Sequence, residues 1–246
     1  MAGVALDQFR QHGGLVSDNP DGWGIAWWAD KSFRVVKEPL PAHESKQFAS
    51  LCETTYSNII IAHVRKAKFP PSRAMINTHP FQQICCGRHW VFAHNGLVPD
   101  IVEMEQANDN PICWPNGETD SEYAFCHLLS HIARYFHAHC SSGITGTVGS
   151  FPTLATISEL IASHGKFNFL MSDGEYLMAY GHDRLHYLEQ NRLDSMNQSL
   201  TSKVLIATEP LQGDEDWAPF EAGELRIYRS GSLAGQILTR PFSQPK

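Results

Sequence analysis

Long apolar runs are missing from this chain of 246 residues. None approaches the roughly 18 residues that a membrane helix needs, which excludes a helical membrane span from the reading. The opening MAGVALDQFRQHGG has neither the basic start nor the apolar middle of a secretory leader. Positive charge is also scarce. The 19 Lys and Arg stand against 26 Asp and Glu, for a formal charge of −7, so electrostatics recommends neither nucleic acid nor an anionic membrane as partner. The cysteines Cys52, Cys85, Cys86, Cys113, Cys126 and Cys140 show no CxxC spacing, and the expectation is reduced thiols in a cytoplasm. HExxH, GxSxG, P-loop and GxGxxG patterns are all absent, so metalloprotease, triad-hydrolase and nucleotide-binding readings lack support.

What is present reads as a single folded body. The length can bury a large core, and no repeat or Pro/Gly/Ser-rich linker marks a boundary. Strand-length apolar runs occur at 24–28, 58–64, 90–94, 167–172, 176–180, 185–188, 204–208 and 225–228. Asp173-Gly174 between two of them is a hairpin signal. Two helices are expected. The first spans 119–136, with Phe125, Leu128, Leu129, Ile132 and Phe136 on one face and a Thr119/Glu122 capping box at its start. The second spans 152–164 and ends at Gly165. Strands, then helices, then hairpin-linked strands indicate an α+β protein with antiparallel sheets.

Several polar residues stand where these runs end, and each has an ordinary reading beside a chemical one. Arg65 follows a buried strand; its planar fork suits a carboxylate, or it pairs with a surface acid. Asn95-Gly96 ends another strand, and a sharp turn there frees a side-chain amide and a backbone N–H to face one developing oxyanion. The same dipeptide is also a common plain turn. Asp120, in the first helical turn, is stabilised by the helix dipole and is placed to meet a ligand amine. His79 alone is more readily structural. Cys126, His127 and His131 share a helix, with His127 and His131 at i and i+4 and with His137, His139 and Cys140 beyond, but no zinc-type spacing accompanies them, so no metal is expected. Cys85-Cys86 reads as packing or turn before it reads as a reactive pair.

Order and spacing carry more than any single residue. The segments at 19–26 (NPDGWGIA), 63–67 (HVRKA), 77–81 (NTHPF), 92–96 (FAHNG) and 117–122 (GETDSE) resemble the class II glutamine amidotransferase family. The likeness is to its stand-alone branch with DGWG, which includes γ-glutamyl hydrolases of thiol metabolism. The segments at 167–174 and 206–211 also look like this branch, so the resemblance runs from His12 onward.

The resemblance implies an N-terminal nucleophile hydrolase-like fold, a four-layer αββα sandwich of two antiparallel sheets. It implies that Arg65 holds the α-carboxylate of glutamine and Asp120 its α-amine. Asn95 and Gly96 would form the oxyanion hole, and His79 the pocket wall. The family's nucleophile is an N-terminal cysteine, whose own α-amine accepts the proton as a γ-glutamyl thioester forms. No cofactor is implied, and the partners are glutamine or a γ-glutamyl small molecule, with a synthetase as a further partner. The chain departs from the pattern at three places: it opens Met1-Ala2-Gly3, has Lys68 after HVRKA, and has Asn19 before DGWG. The expectation is one domain over 1–246 lacking the family's first strand, inactive as given. The alternative is a catalytically inactive relative that binds an amino acid or a partner enzyme.

Overall fold

The computed structural model of the chain describes residues 2–139, 147–193, 200–211, 213 and 216–239. Its first sheet follows from alternation. In β1 (Trp23–Ala29), Trp23, Ile25 and Trp27 face one side while Ala26 and Trp28 face the other. β1 lies between β2 (Ser32–Glu38) and β3 (Ile60–Val64), antiparallel to both. The Trp23 side packs beneath two helices, α1 (Ala2–Gln11) and α2 (Lys46–Thr54), around Leu6, Phe48 and Cys52. The Ser45 hydroxyl caps α2 by accepting from Phe48 N at 3.0 Å, which satisfies one of its unpaired first-turn donors.

The second sheet is an antiparallel array of six strands, side by side in chain order. They are β4 (Phe81–Cys85), β5 (Arg88–Leu97), β6 (Lys166–Ser172), β7 (Tyr176–Gly181), β11 (Glu224–Arg229) and β12 (Ser232–Leu238). Val91 and Ala93 of β5 meet Ala26, Phe33 and Ile61 of the first sheet, forming the layer between the sheets. Trp90 and Phe92 point the other way, toward the helices α3 (Ile101–Gln106), α4 (Asp120–His139) and α5 (Phe151–Ala162). There Phe92 stacks on Phe125 at 5.1 Å, and each such buried aromatic contributes about 1.5–3 kcal/mol through its removal from water. Helices, sheet, sheet and helices make the four-layer αββα sandwich that the sequence led us to expect. A small third sheet holds β8 (His186–Leu193) between β9 (Leu200–Ala207) and β10 (Ala218–Pro219).

Several details depart from expectation. α1, α2, α3, β2, β4, β10 and β12 add to the elements read from the sequence. The capping box at α4 is half made: Glu122 N donates to Thr119 Oγ1 at 3.1 Å, but the Glu122 carboxylate turns to Gly117 N at 2.7 Å. Asn95 and Gly96 are not a turn, because β5 runs on through Leu97 with Asn95 opposite Asn168 and Gly96 opposite Phe167. Cys113 and Cys126 form a disulfide across a Cα separation of 5.4 Å, which pins the approach to α4 onto the helix. The expectation of uniformly reduced thiols is therefore corrected. No helix among the described residues is long and apolar enough to cross a membrane.

Candidate functional site

β3 and β5 face each other across the sandwich, and each carries a histidine near its end, His63 and His94, followed closely by a residue singled out above. His63, His94 and Asn95 line one cavity of about 430 Å³. Arg65, His79, Gly96 and Asp120 do not line it. They join it through the histidines: Asp120 acts electrostatically on both Arg65 and His94, and His63 on His79. The five residues from four sequence-distant motifs therefore lie in one neighbourhood.

Arg65 is 3% exposed, and its fork donates to Ser72 O at 2.6 Å and Pro70 O at 3.2 Å. Burial pulls its pKa down, opposed by the charges of Asp21 and Asp120. The DGWG segment sets this geometry. Arg65 N donates to Gly22 O and Asp21 N to Arg65 O, while the Asp21 carboxylate accepts from Ala67 N at 2.8 Å and Arg73 Nε at 2.6 Å. Asp21 thus clamps the loop after β3 around Arg65. Asn77, 1% exposed, ties the same loop to the start of α4, donating to Ser72 Oγ and accepting from Glu118 N.

Asp120 is 4% exposed, with Oδ2 accepting from Val98 N at 2.7 Å and Oδ1 from Ser121 N at 2.8 Å. A carboxylate has about four acceptor directions, so capacity remains for a ligand cation. Asn95 and Gly96 are exposed at the end of β5. Asn168 fixes this end from below: its Nδ2 donates to Asn95 O at 3.1 Å, and its Oδ1 accepts from His182 N at 2.8 Å. Gly96 is required by close approach, since a Cβ there would lie 1.8 Å from Lys166 O.

Three histidines surround this point and all are held neutral. The His63 and His79 ring centroids lie 4.2 Å apart with their planes tilted by 35°, and Phe81 meets His79 edge-on at 4.6 Å. Burial, reinforced by nearby positive groups, pushes His63 down to about 3 and His79 well below its ordinary value. Both His79 ring nitrogens lack a hydrogen-bond partner among the described residues. His94 is also lowered by burial. Its Nε2–H donates to Lys166 O at 3.0 Å, so Nδ1 accepts from the Ser121 hydroxyl at 2.9 Å.

The cavity itself is a slot between two unpaired sheet edges. Among the described residues β3 pairs only with β1, and β9 only with β8. Ile60, Ala62 and Val64 line one flank, residues 203–207 the other, with Leu6 and Phe9 above and Asn168, Phe169 and Leu170 below. Its lining mixes apolar side chains such as Ile60, Val64 and Leu205 with polar ones, among them His63, His94 and Asn95, and the edge strands β3 and β9 present backbone groups toward it. No cysteine among the described residues lines it. The histidine-rich α4 forms no metal cluster among the described residues: His127 Nδ1 instead pairs with Glu105 at 2.7 Å, and Cys140 lies outside those described.

A family model for class II glutamine amidotransferases matches residues 2–246. The chain belongs to the class II glutamine amidotransferases. An uncharacterized protein of Methanocaldococcus jannaschii is 35% identical over 94% of the chain, which spans only 66% of that relative's length. YafJ of Escherichia coli (strain K12), assigned by name to the glutamine amidotransferases, is 34% identical over 90% of the chain and 89% of its own length. A Mycobacterium tuberculosis γ-glutamyl-hercynylcysteine sulfoxide hydrolase matches a shorter part, 34% identical over 38% of this chain and 37% of that protein. Among solved structures, a Pseudomonas aeruginosa PA01 protein assigned to the glutamine amidotransferases superposes with a TM-score of 0.69. It is 28% identical, covering 92% of this chain and 91% of its own. The αββα sandwich is accordingly the N-terminal nucleophile hydrolase-like fold of the glutamine amidotransferases.

Proposed function

We propose that this protein hydrolyses the side-chain amide of glutamine or of a γ-glutamyl compound, with the nucleophilic cysteine heading a strand seated between β3 and β9. The observation that carries this is the slot, whose polar end opens at Asn95 beside the electrostatically linked Arg65 and Asp120. In this reading Arg65 turns part of its fork from the loop carbonyls to the α-carboxylate, and Asp120 takes the α-ammonium. The terminal thiolate attacks the amide carbon. Asn95 Nδ2 and the Gly96 N–H receive the oxyanion, and the cysteine's α-amine passes the thiol proton to the leaving ammonia or amine. Water then cleaves the γ-glutamyl thioester to glutamate and free thiol. His79 walls the pocket. The released ammonia would go to water or to a synthetase, and a cytoplasmic setting remains part of the proposal.

The family's substrates divide into glutamine and larger γ-glutamyl compounds, and an amide end group is common to both. Among the described residues no thiol lines the slot, and the proposal expects binding without turnover from the chain by itself. Calorimetry should show glutamine or a γ-glutamyl amide binding to the chain, while ammonia release stays at background. Extending the chain upstream with a strand headed by cysteine should give ammonia release, and the same extension headed by alanine should bind only. Ammonia release from the unextended chain would sink the nucleophile assignment. Binding by none of the three proteins would sink the pocket.

A further inference from the structure

The hairpin joining β4 to β5 closes through two residues, Cys86 and Gly87, with Cys85 opposite Arg88 as its last pair. Both turn residues have positive φ, 56° at Cys86 and 71° at Gly87. Such turns favour Asn, Asp or Gly at the first of these positions, and a cysteine there is held in a region that side-chain-bearing residues seldom occupy. Turn chemistry therefore does not account for Cys86. Its placement does have one consequence: Cys86 Sγ lies 3.0 Å from Cys85 Sγ.

The two sulfurs are unequal. Cys86 is exposed at the hairpin tip, and nothing stands within 4 Å of where a Gly87 side chain would be, so small reagents have open access. Cys85 is 3% exposed, with its sulfur also near Leu129 O at 4.0 Å. The hydrogen bond from the Cys85 thiol favours the thiolate at Cys86 and disfavours it at Cys85. One sulfur is thus set to attack and its neighbour to resolve.

We propose that Cys85-Cys86 is a dithiol modification site that reacts with low-molecular-weight disulfides and closes to a bond between the two adjacent cysteines. The Cys86 thiolate attacks one sulfur of the small disulfide, forming a mixed disulfide and expelling one small thiolate. Cys85, giving up its proton to that thiolate, attacks Cys86 Sγ and expels the second. The balance is one small disulfide and two protein thiols to one protein disulfide and two small thiols. Adjacent Cα atoms stand about 3.8 Å apart across a trans peptide, below the ordinary range for disulfides, so the ring is strained and readily reduced again. The site is independent of the amidohydrolase reading, since the hairpin tip contributes nothing to the slot.

Oxidised glutathione is the probe, applied to the full chain and read by intact mass and peptide mapping. The expected product lacks two hydrogens, carries no glutathione on the peptide holding both cysteines, and reverts with dithiothreitol. Cys85→Ser should retain glutathione on Cys86, while Cys86→Ser should take up none at Cys85. Cys86 in wild type should react at least roughly tenfold faster than buried Cys52. Glutathione retained on wild-type Cys86, or a Cys86 no faster than Cys52, overturns the proposal. A second measurement needs no variant. Phenylarsine oxide should condense with both thiols of the wild-type pair, with loss of water, and mapping should find the two blocked together; Cys86 remaining free overturns the proposal as well.

Discussion

In the proposed reading, Asp120 is the residue on which amino-acid recognition turns. Its carboxylate is 4% exposed and already accepts two backbone N–H groups, from Val98 and Ser121. Asp120→Asn keeps the shape and one acceptor but removes the charge. Losing a charge-assisted contact of about 1.5–3 kcal/mol predicts glutamine affinity lower by about 10–100-fold, with the melting temperature changed far less. Titration calorimetry beside a thermal melt reads the two effects apart; unchanged affinity would remove Asp120 from the pocket. Residues like this stood out in the sequence because they sit in short motifs at strand or helix ends. Asp21, Asn77 and Asn168 were not assigned roles, for a physical reason. Asp21 acts on Ala67 and Arg73 from 46 and 52 residues away, and Asn168 on Asn95 from 73 away. Nothing local to an Asp or Asn announces a backbone clamp that only the folded chain closes.

Close approach between elements governs the site's precision. Gly96 lets β5 pass Lys166 O and the His94 ring, and Gly24 lets β1 pass His79 O, which a Cβ would meet at 2.2 Å. Both obstacles are backbone oxygens with little freedom to yield. Gly96→Ala and Gly24→Ala are each expected to lower unfolding free energy by about 1–3 kcal/mol, whereas Gly235→Ala, with its nearest atom 3.5 Å away, should be near neutral. Urea denaturation checks the series, and a Gly96→Ala as stable as Gly235→Ala would show that the strand ends are not packed this way. The Asn-Gly signal was misread as a turn because the dipeptide is compatible with one. Here its glycine serves contact between neighbouring strands instead. The strands that escaped the sequence reading, β2, β4, β10 and β12, lie at sheet edges, where a strand needs few buried residues and shows weak alternation.

At the scale of the whole molecule, the two sheets meet around three neutral histidines, and this ties stability to pH. His63, His79 and His94 have folded pKa values below their ordinary 6.5, with His63 at about 3. Between the folded and unfolded values, the unfolded chain binds protons that the folded one refuses. Stability is therefore fully present above about pH 6.5 and is lost as pH falls toward the folded values, by about 1.4 kcal/mol per pH unit for each histidine in its window. The urea midpoint should drop steeply from pH 6.5 to 5, before most carboxylates titrate. His63→Gln, which keeps a neutral polar group, should flatten the slope by about one proton's worth. An unchanged slope in that variant would mean His63 is protonated in the fold. The same charge placed at the polar end of the slot would then repel the ammonium meant for Asp120, so the pH profile tests the geometry of the site as well as the linkage.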